Sequence, residues 1–72
     1  MATLNWKLLT AFEAVARHLN FTRAASELNV QQPSISRRVA ELEAELGVKL
    51  LVRMRPNAAL TAEGDQLYRA LS

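Results

Sequence analysis

Apolar residues recur every three or four positions along most of this chain, which is the spacing of the buried face of a helix. The first such segment runs from about Asn5 to Arg17, where Asn5 is the expected N-cap. We expect Trp6 and Leu9 to lie at the edge of the buried stripe. Trp6 would cover the rim of the core or, as the alternative, meet another subunit. The stripe itself consists of Leu8, Phe12, Val15, Ala16 and Leu19.

A short second helix follows, and a tight turn separates it from a third. Thr22 is the expected N-cap of the second helix. The adjacent residues Ala24 and Ala25 would let another helix approach closely, because methyl groups keep the distance between axes short. Asn29 lies where this helix must end in a left-handed conformation, which Asn tolerates well. Val30 is then expected to fill the angle between the two helices.

The third helix is predicted over about residues 32–46, with Pro33 in its first turn and Gly47 as its left-handed stop. Its apolar stripe consists of Ile35, Val39, Leu42 and Leu46. The opposite face begins with polar and basic groups, and one turn later its charge changes from positive to negative. The carboxylates of Glu41, Glu43 and Glu45 would repel phosphates, so only the leading half of this helix can lie against DNA. Two helices joined in this way form a helix-turn-helix, whose second helix enters the major groove.

After Gly47 the pattern changes to that of a small hairpin. Lys49–Arg53 and Ala58–Leu60 are predicted as two strands, which pack on the helices through Leu50 or Leu51 and through Leu60. A fourth helix should begin after Thr61 as its cap, with acidic residues in its first turns. Its apolar stripe consists of Leu67, Tyr68 and Leu71.

Four segments of this sequence resemble the LysR-type bacterial transcriptional regulators. They are Arg17–Ala25, Gln32–Arg37, Leu42–Leu51 and Leu60–Gly64, in the order that the family shows. The first segment is most similar to the subgroup of the glycine-cleavage activator and the beta-lactamase regulator. The resemblance implies a winged helix-turn-helix, a homodimer or tetramer, and a small-molecule-sensing domain that follows.

We therefore expect a mainly α fold: a winged helix-turn-helix with three helices, a short two-stranded β-hairpin wing and a C-terminal linker helix. Residues 1–60 would form the DNA-binding domain, and residues 61–72 would begin the linker helix, with the effector domain absent. The resemblance implies that Leu67, Tyr68 and Leu71 pair with their copies in a second subunit. The alternative is that they fold back on the first helix. A small-molecule effector would bind only in the missing C-terminal domain.

The resemblance also implies which residues contact DNA. Gln32 matches a base-contacting position, where its amide can pair with adenine, and Pro33 matches one that can touch a thymine methyl. Arg37 would contact guanine or a phosphate, and Arg53 a phosphate or the minor groove. The complete expected set is Thr22, Arg23, Gln32, Pro33, Ser34, Ser36, Arg37, Arg38, Arg53 and Arg55.

The chain departs from the family pattern at three places. Gln31 stands where Ser or Thr is common, which weakens the helix cap by up to about 1 kcal/mol. Arg38 stands where Gln is frequent and adds a possible phosphate contact. Residues 57–59 of the returning strand of the wing are Asn-Ala-Ala, where the family usually has basic residues, so Arg53 and Arg55 are the only cations that the wing offers to the minor groove.

Charge and composition narrow the function classes. The net charge is +2; residues 1–40 contribute five cations and two carboxylates, and residues 41–72 four cations and five carboxylates. The basic surplus thus accompanies the helix-turn-helix, but it is modest and favours binding as a dimer.

Enzyme classes find little support. The sequence has no cysteine, two glycines and a single histidine, His18, which lacks an acidic partner at helical spacing and is expected to cap a helix or lie at the surface. We expect no catalytic, metal or cofactor site, and the apolar runs are too short for a membrane. A cytoplasmic, nucleoid-associated protein follows. The rival function is a winged-helix module that docks on another protein through its third helix.

Overall fold

The computed structural model describes residues 5–54 and 57–71, and within them it contains four helices and one antiparallel pair of strands. Arg55 therefore lies outside the described residues, and nothing is said of its structure. No helix in the described ranges is long and apolar enough to span a bilayer. The elements are α1 (Trp6–His18), α2 (Phe21–Leu28), α3 (Gln32–Leu46), β1 (Leu51–Arg53), β2 (Ala58–Leu60) and α4 (Ala62–Leu71).

Helix α1 lies at the centre of the fold and packs against α2, α3, α4 and β2. Its small residues make this possible, since alanines at the contacts let helix axes approach closely. Ala11 and Ala14 on α1 and Ala24 on α2 are completely buried, which confirms the role expected of the alanine pair in α2. The largest buried side chains are Phe12, Ile35, Leu42, Leu50 and Val15.

The capping of the first two helices differs in part from the expectation. Asn5 caps α1 as predicted, because its side chain accepts a hydrogen bond of 2.8 Å from the backbone N–H of Lys7. The N-cap of α2 is Asn20, not Thr22, since the Asn20 side chain accepts from the N–H of Arg23 at 2.9 Å. The prediction for Thr22 was therefore wrong by two positions, because helical residues begin at Phe21.

Two apolar residues predicted for the buried stripes are instead largely exposed. Leu19 adopts a left-handed conformation at φ 51° as the C-cap of α1, which turns its side chain away from the stripe and leaves it 40% exposed. Leu46 is the last residue of α3 and is 38% exposed, because the chain leaves the helix at Gly47.

The start of α1 also differs from expectation. Leu9 is buried in the core rather than at its edge, and Trp6 is 73% exposed, so the expected covering of the rim by Trp6 is wrong. Trp6 is the first residue of its helix, where it borders a shallow recess with Leu9 and Leu71.

The turns on either side of α3 follow the sequence prediction. Asn29 is left-handed at φ 59°, and Gly47 is left-handed at φ 72° with its N–H bonded to the carbonyl of Glu43 at 2.8 Å. Val30 packs against the core between α2 and α3. Gln31 makes no capping hydrogen bond with its side chain, which confirms the weak cap at the start of α3.

The wing is a pair of antiparallel strands of three residues each, in which Leu51 lies opposite Leu60 and Arg53 opposite Ala58. The first strand is shorter than predicted, since pairing begins at Leu51 rather than Lys49. The N–H of Ala58 also donates to the carbonyl of Leu19 at 2.8 Å, so the wing is hydrogen-bonded to the turn between α1 and α2. Leu50 and Leu51 are buried and Leu60 packs against the core, as expected.

A carboxylate and a hydroxyl connect the wing to the helices beside it. Glu43 accepts hydrogen bonds from the N–H groups of Leu50 at 2.8 Å and Leu51 at 3.2 Å. Thr61 caps α4 as predicted, because its hydroxyl accepts from the N–H of Gly64 at 3.0 Å and donates to the carbonyl of Lys49 at 2.6 Å. Leu67, Tyr68 and Leu71 of α4 pack on the core and are half-buried.

Candidate nucleic-acid interface

The leading half of α3 presents the polar face that the sequence indicates. Pro33 and Arg37 are exposed, and Gln32, Ser36 and Arg38 are half-buried. Ser34 is half-buried in the same turn. The position of these side chains on the outer face follows from the helical period, because the apolar residues Ile35, Val39 and Leu42 occupy the opposite, buried face.

A chain of polar contacts joins this face to the wing. The Gln32 side-chain amide donates to the Ser36 hydroxyl at 3.0 Å, and the guanidinium of Arg53 donates to the same hydroxyl. The guanidinium of Arg53 also lies over the ring of Phe21, 4.1 Å from its centroid. The structure thus brings together Gln32, Ser36 and Arg53 from the predicted set and adds Phe21, the first residue of α2.

Phe21 was missed because its spacing is that of an ordinary partly buried core residue. The only signal for it in the sequence is an aromatic residue beside the basic Arg23 at the start of the helix-turn-helix. Its contact with Arg53 joins α2 to β1, and no local pattern predicts a contact between residues so far apart in the sequence.

The cations at the interface are not neutralised by nearby carboxylates. Within residues 5–54 and 57–71, Arg23, Arg37 and Arg38 form no salt bridge. Thr22 and Arg23 are exposed in the first turn of α2. Glu41 and Glu45 are exposed on the trailing half of α3, so the change of sign along the helix is preserved in three dimensions.

Arg17, one of the arginines in residues 1–40, is paired with carboxylates and stabilises the fold instead. Arg17 donates to Glu13 at 2.9 Å and to Glu27 at 2.6 Å, which connects α1 to α2. The hydrogen bond from Arg17, and then that from His18, lowers the pKa of the Glu27 carboxyl to about 2. The same arginine lowers the pKa of Glu13. Arg17 therefore contributes little to the attraction of phosphates.

His18 has an acidic partner after all, because Glu27 of α2 lies 2.6 Å from its Nε2. The sequence argument considered only partners along one helix and could not find a partner on another. The contact lies at the surface beside Arg17, in agreement with a structural role. The described part of the chain holds no group of three or more His, Cys, Asp or Glu suited to a metal ion.

Residues 6–65 match the family model of the bacterial regulatory helix-turn-helix proteins of the lysR family. The chain belongs to the LysR family. It is 53% identical over 64 residues to the HTH-type transcriptional activator AmpR of Providencia stuartii, which is 89% of this chain and 22% of that protein. It is 45% identical over 71 residues, 99% of this chain and 24% of the relative, to the carbapenem-hydrolyzing beta-lactamase transcriptional activator of Enterobacter cloacae.

The fold agrees with this assignment. The crystal structure of the CbnR_DBD–DNA complex superposes with a TM-score of 0.89 at 40% identity, covering 93% of this chain and 77% of that one. The predicted fold class, a mainly α winged helix-turn-helix with a two-stranded wing, is confirmed. The chain spans about a fifth of the length of the curated relatives it matches.

Proposed function

We propose that this chain binds double-stranded DNA sequence-specifically, as the DNA-binding part of a bacterial transcriptional regulator. The observation that carries the proposal is the leading half of α3, where Arg37 is exposed and small polar groups are partly exposed beside it, while the apolar face of the helix is buried. Such a surface suits the major groove, whose base edges are recognised by amides, hydroxyls and guanidinium groups. The relatives are named as transcriptional activators, and the similar CbnR domain is a DNA complex.

The proposed roles follow from position and charge. Gln32, Pro33 and Ser36 would contact base edges, with Ser34 beside them. Arg37, the exposed arginine of that face, would contact guanine or a phosphate. We expect the remaining groups to contact the sugar–phosphate backbone, which fixes register without discriminating bases. They are Thr22, Arg23, Arg38, Arg53 and, by its place in the sequence, Arg55.

A salt titration on duplex of random sequence tests DNA binding directly. Neutralising phosphates releases counterions, so the logarithm of the binding constant should fall linearly with the logarithm of salt concentration. The four arginines proposed to contact phosphates, at about −0.9 for each contact, predict a slope of about −3.6 per chain. Fluorescence anisotropy with a labelled duplex measures it. A flat dependence would favour the rival function, docking on another protein.

We further propose that the chain acts as a homodimer through α4. Leu67, Tyr68 and Leu71 are only half-buried against their own core, so each keeps apolar area for a second copy.

Residues 1–60 would then be the DNA-binding domain, and residues 61–72 the beginning of the linker helix. A small-molecule effector would belong to a further domain. The protein would have no enzymatic activity and would act in the cytoplasm, on the nucleoid.

Replacing Leu67 and Leu71 together by Glu should abolish self-association, because buried carboxylates at a dimer contact are costly. Sedimentation velocity at micromolar concentration should show wild-type dimers and monomers of the variant, together with weaker DNA binding by the variant. Replacing Gln66 and Ala70 together by Glu adds the same two charges at exposed positions of α4 and should leave the dimer intact. Tight DNA binding by a folded, strictly monomeric variant would contradict dimeric binding.

A further inference from the structure

Two hydrogen-bond donors from different elements converge on the hydroxyl of Ser36. One is the side-chain amide nitrogen of Gln32, 3.0 Å away, and the other is the guanidinium of Arg53. Neither group can accept a hydrogen bond in return: a guanidinium carries only donors, and so does an amide nitrogen. A serine hydroxyl has two acceptor lone pairs and one hydrogen. Both lone pairs of Ser36 are therefore used within the protein.

We infer that Arg53 is a positioning residue for base recognition, which together with Gln32 converts Ser36 into a hydrogen-bond donor. The inference rests on the proposed DNA-binding function. With both lone pairs occupied, the Ser36 hydrogen is the only part of the hydroxyl left for a ligand. Its partner on DNA must be an acceptor. In the major groove the acceptors are guanine N7 and O6, adenine N7 and thymine O4, whereas the amino groups of cytosine and adenine are donors.

The surroundings of Arg53 explain how a wing residue can hold this geometry. Its guanidinium lies over the Phe21 ring at 4.1 Å, a contact that favours a planar cation. Its backbone lies at the end of β1 opposite Ala58, whose N–H is bonded to Leu19 at 2.8 Å. The arginine is thus fixed at both ends of its side chain, by the strand pair and by the start of α2.

The same contacts orient Gln32 for adenine. Its amide nitrogen carries two hydrogens, of which one is directed to Ser36. The second hydrogen and the amide oxygen remain available. These are the two groups that a glutamine needs for bidentate contact with adenine N7 and N6. The Arg53–Ser36–Gln32 contacts therefore set the direction of two neighbouring base-recognising groups, and Arg53 does so without a base contact of its own.

Arg53→Lys tests this role, because lysine keeps the positive charge but lacks the planar fork and the ring contact. The probe is the preferred duplex that the wild-type chain selects from a randomised pool, measured against a scrambled duplex at several salt concentrations. We expect Arg53→Lys to lower the preferred-to-scrambled ratio about tenfold while the salt slope stays unchanged. Arg69→Lys is the matched control, since Arg69 is exposed on α4 and is not among the residues proposed to contact DNA; its ratio should not change.

A second variant and a base series make the test independent of a single substitution. Phe21→Leu removes the ring without altering any charge and should lower the ratio in the same direction, with folding checked by circular dichroism. At the base position where Ser36→Ala loses preference, the wild type should reject cytosine, whose edge offers only an amino donor, and Arg53→Lys should tolerate it. Arg53→Lys in the Ser36→Ala background should cost nothing further, because both act through one hydroxyl.

The outcomes separate this inference from the proposed function. A wild-type chain that binds both duplexes equally would overturn DNA recognition itself. A discriminating wild type, combined with an unaffected Arg53→Lys or with additive losses in the double variant, would overturn only the positioning role of Arg53. An equal loss of affinity on both duplexes, without a change in their ratio, would make Arg53 a plain phosphate contact.

Discussion

Replacing Gly64 by Ala should destabilise this protein severely, by about 3 kcal/mol or more. The position lies in the first turn of α4, where alanine is normally the better helix former by about 1 kcal/mol. Tertiary packing reverses the sign of the expected change in stability. A Cβ on residue 64 would lie 2.0 Å from the carbonyl oxygen of Leu50 and 2.9 Å from its carbonyl carbon. Both are backbone atoms, so no side-chain rotation can relieve the overlap.

The Leu50 backbone cannot move aside easily, because it is bonded on both sides. Its N–H donates to Glu43, and its carbonyl accepts from the N–H of Thr61 at 3.0 Å. A displacement of Leu50 would break these bonds and also shift a side chain that is 1% exposed. We expect α4 to separate from the wing, with loss of the paired strands beside α3.

Urea unfolding followed by circular dichroism measures the change, and Gly47→Ala is the matched control. Gly47 is left-handed at φ 72° with nothing within 4 Å of an added Cβ. Alanine there should cost only the conformational penalty of about 1–2 kcal/mol. A Gly64→Ala protein as stable as wild type, or less affected than Gly47→Ala, would contradict the close approach of α4 to Leu50.

The second large effect concerns recognition rather than folding. Replacing Gln32 by Ala should cost roughly 1–3 kcal/mol on the preferred duplex and little on random sequence. Gln32 carries no charge and lies in the first turn of α3, so its contribution must come through base edges and through its bond to Ser36. Competition between preferred and scrambled duplexes measures the loss.

Arg38→Ala provides the contrast on the same helix. Arg38 lies to the side of the leading face, where a phosphate is its expected partner. Its removal should weaken binding to both duplexes alike and reduce the salt slope by about one. If Gln32→Ala leaves the preferred-to-scrambled ratio unchanged, the placement of α3 in the major groove is wrong.

Much of the fold could be predicted because its signals are local. The left-handed stop at Asn29, the stop at Gly47 and the cap at Thr61 each depend on residues within one or two turns. The buried stripe of α3 follows from helical period alone. Most errors in the placement of elements and buried residues are local too, and they fall at the ends of helices and at the start of β1. Leu19 and Leu46 have the right spacing but lie at the last turn, where the chain changes direction.

The sequence by itself determined the order of elements, the winged helix-turn-helix class and the face of α3 that carries Gln32, Ser36 and Arg37. The tertiary structure alone decided that Arg53 meets Phe21 and Ser36, that Glu43 accepts from the wing backbone, and that residue 64 must lack a side chain. The physical reason is the distance along the chain over which each interaction acts. Helical period and capping act between residues a few positions apart, whereas each of these contacts joins different elements and exists only after the chain has packed.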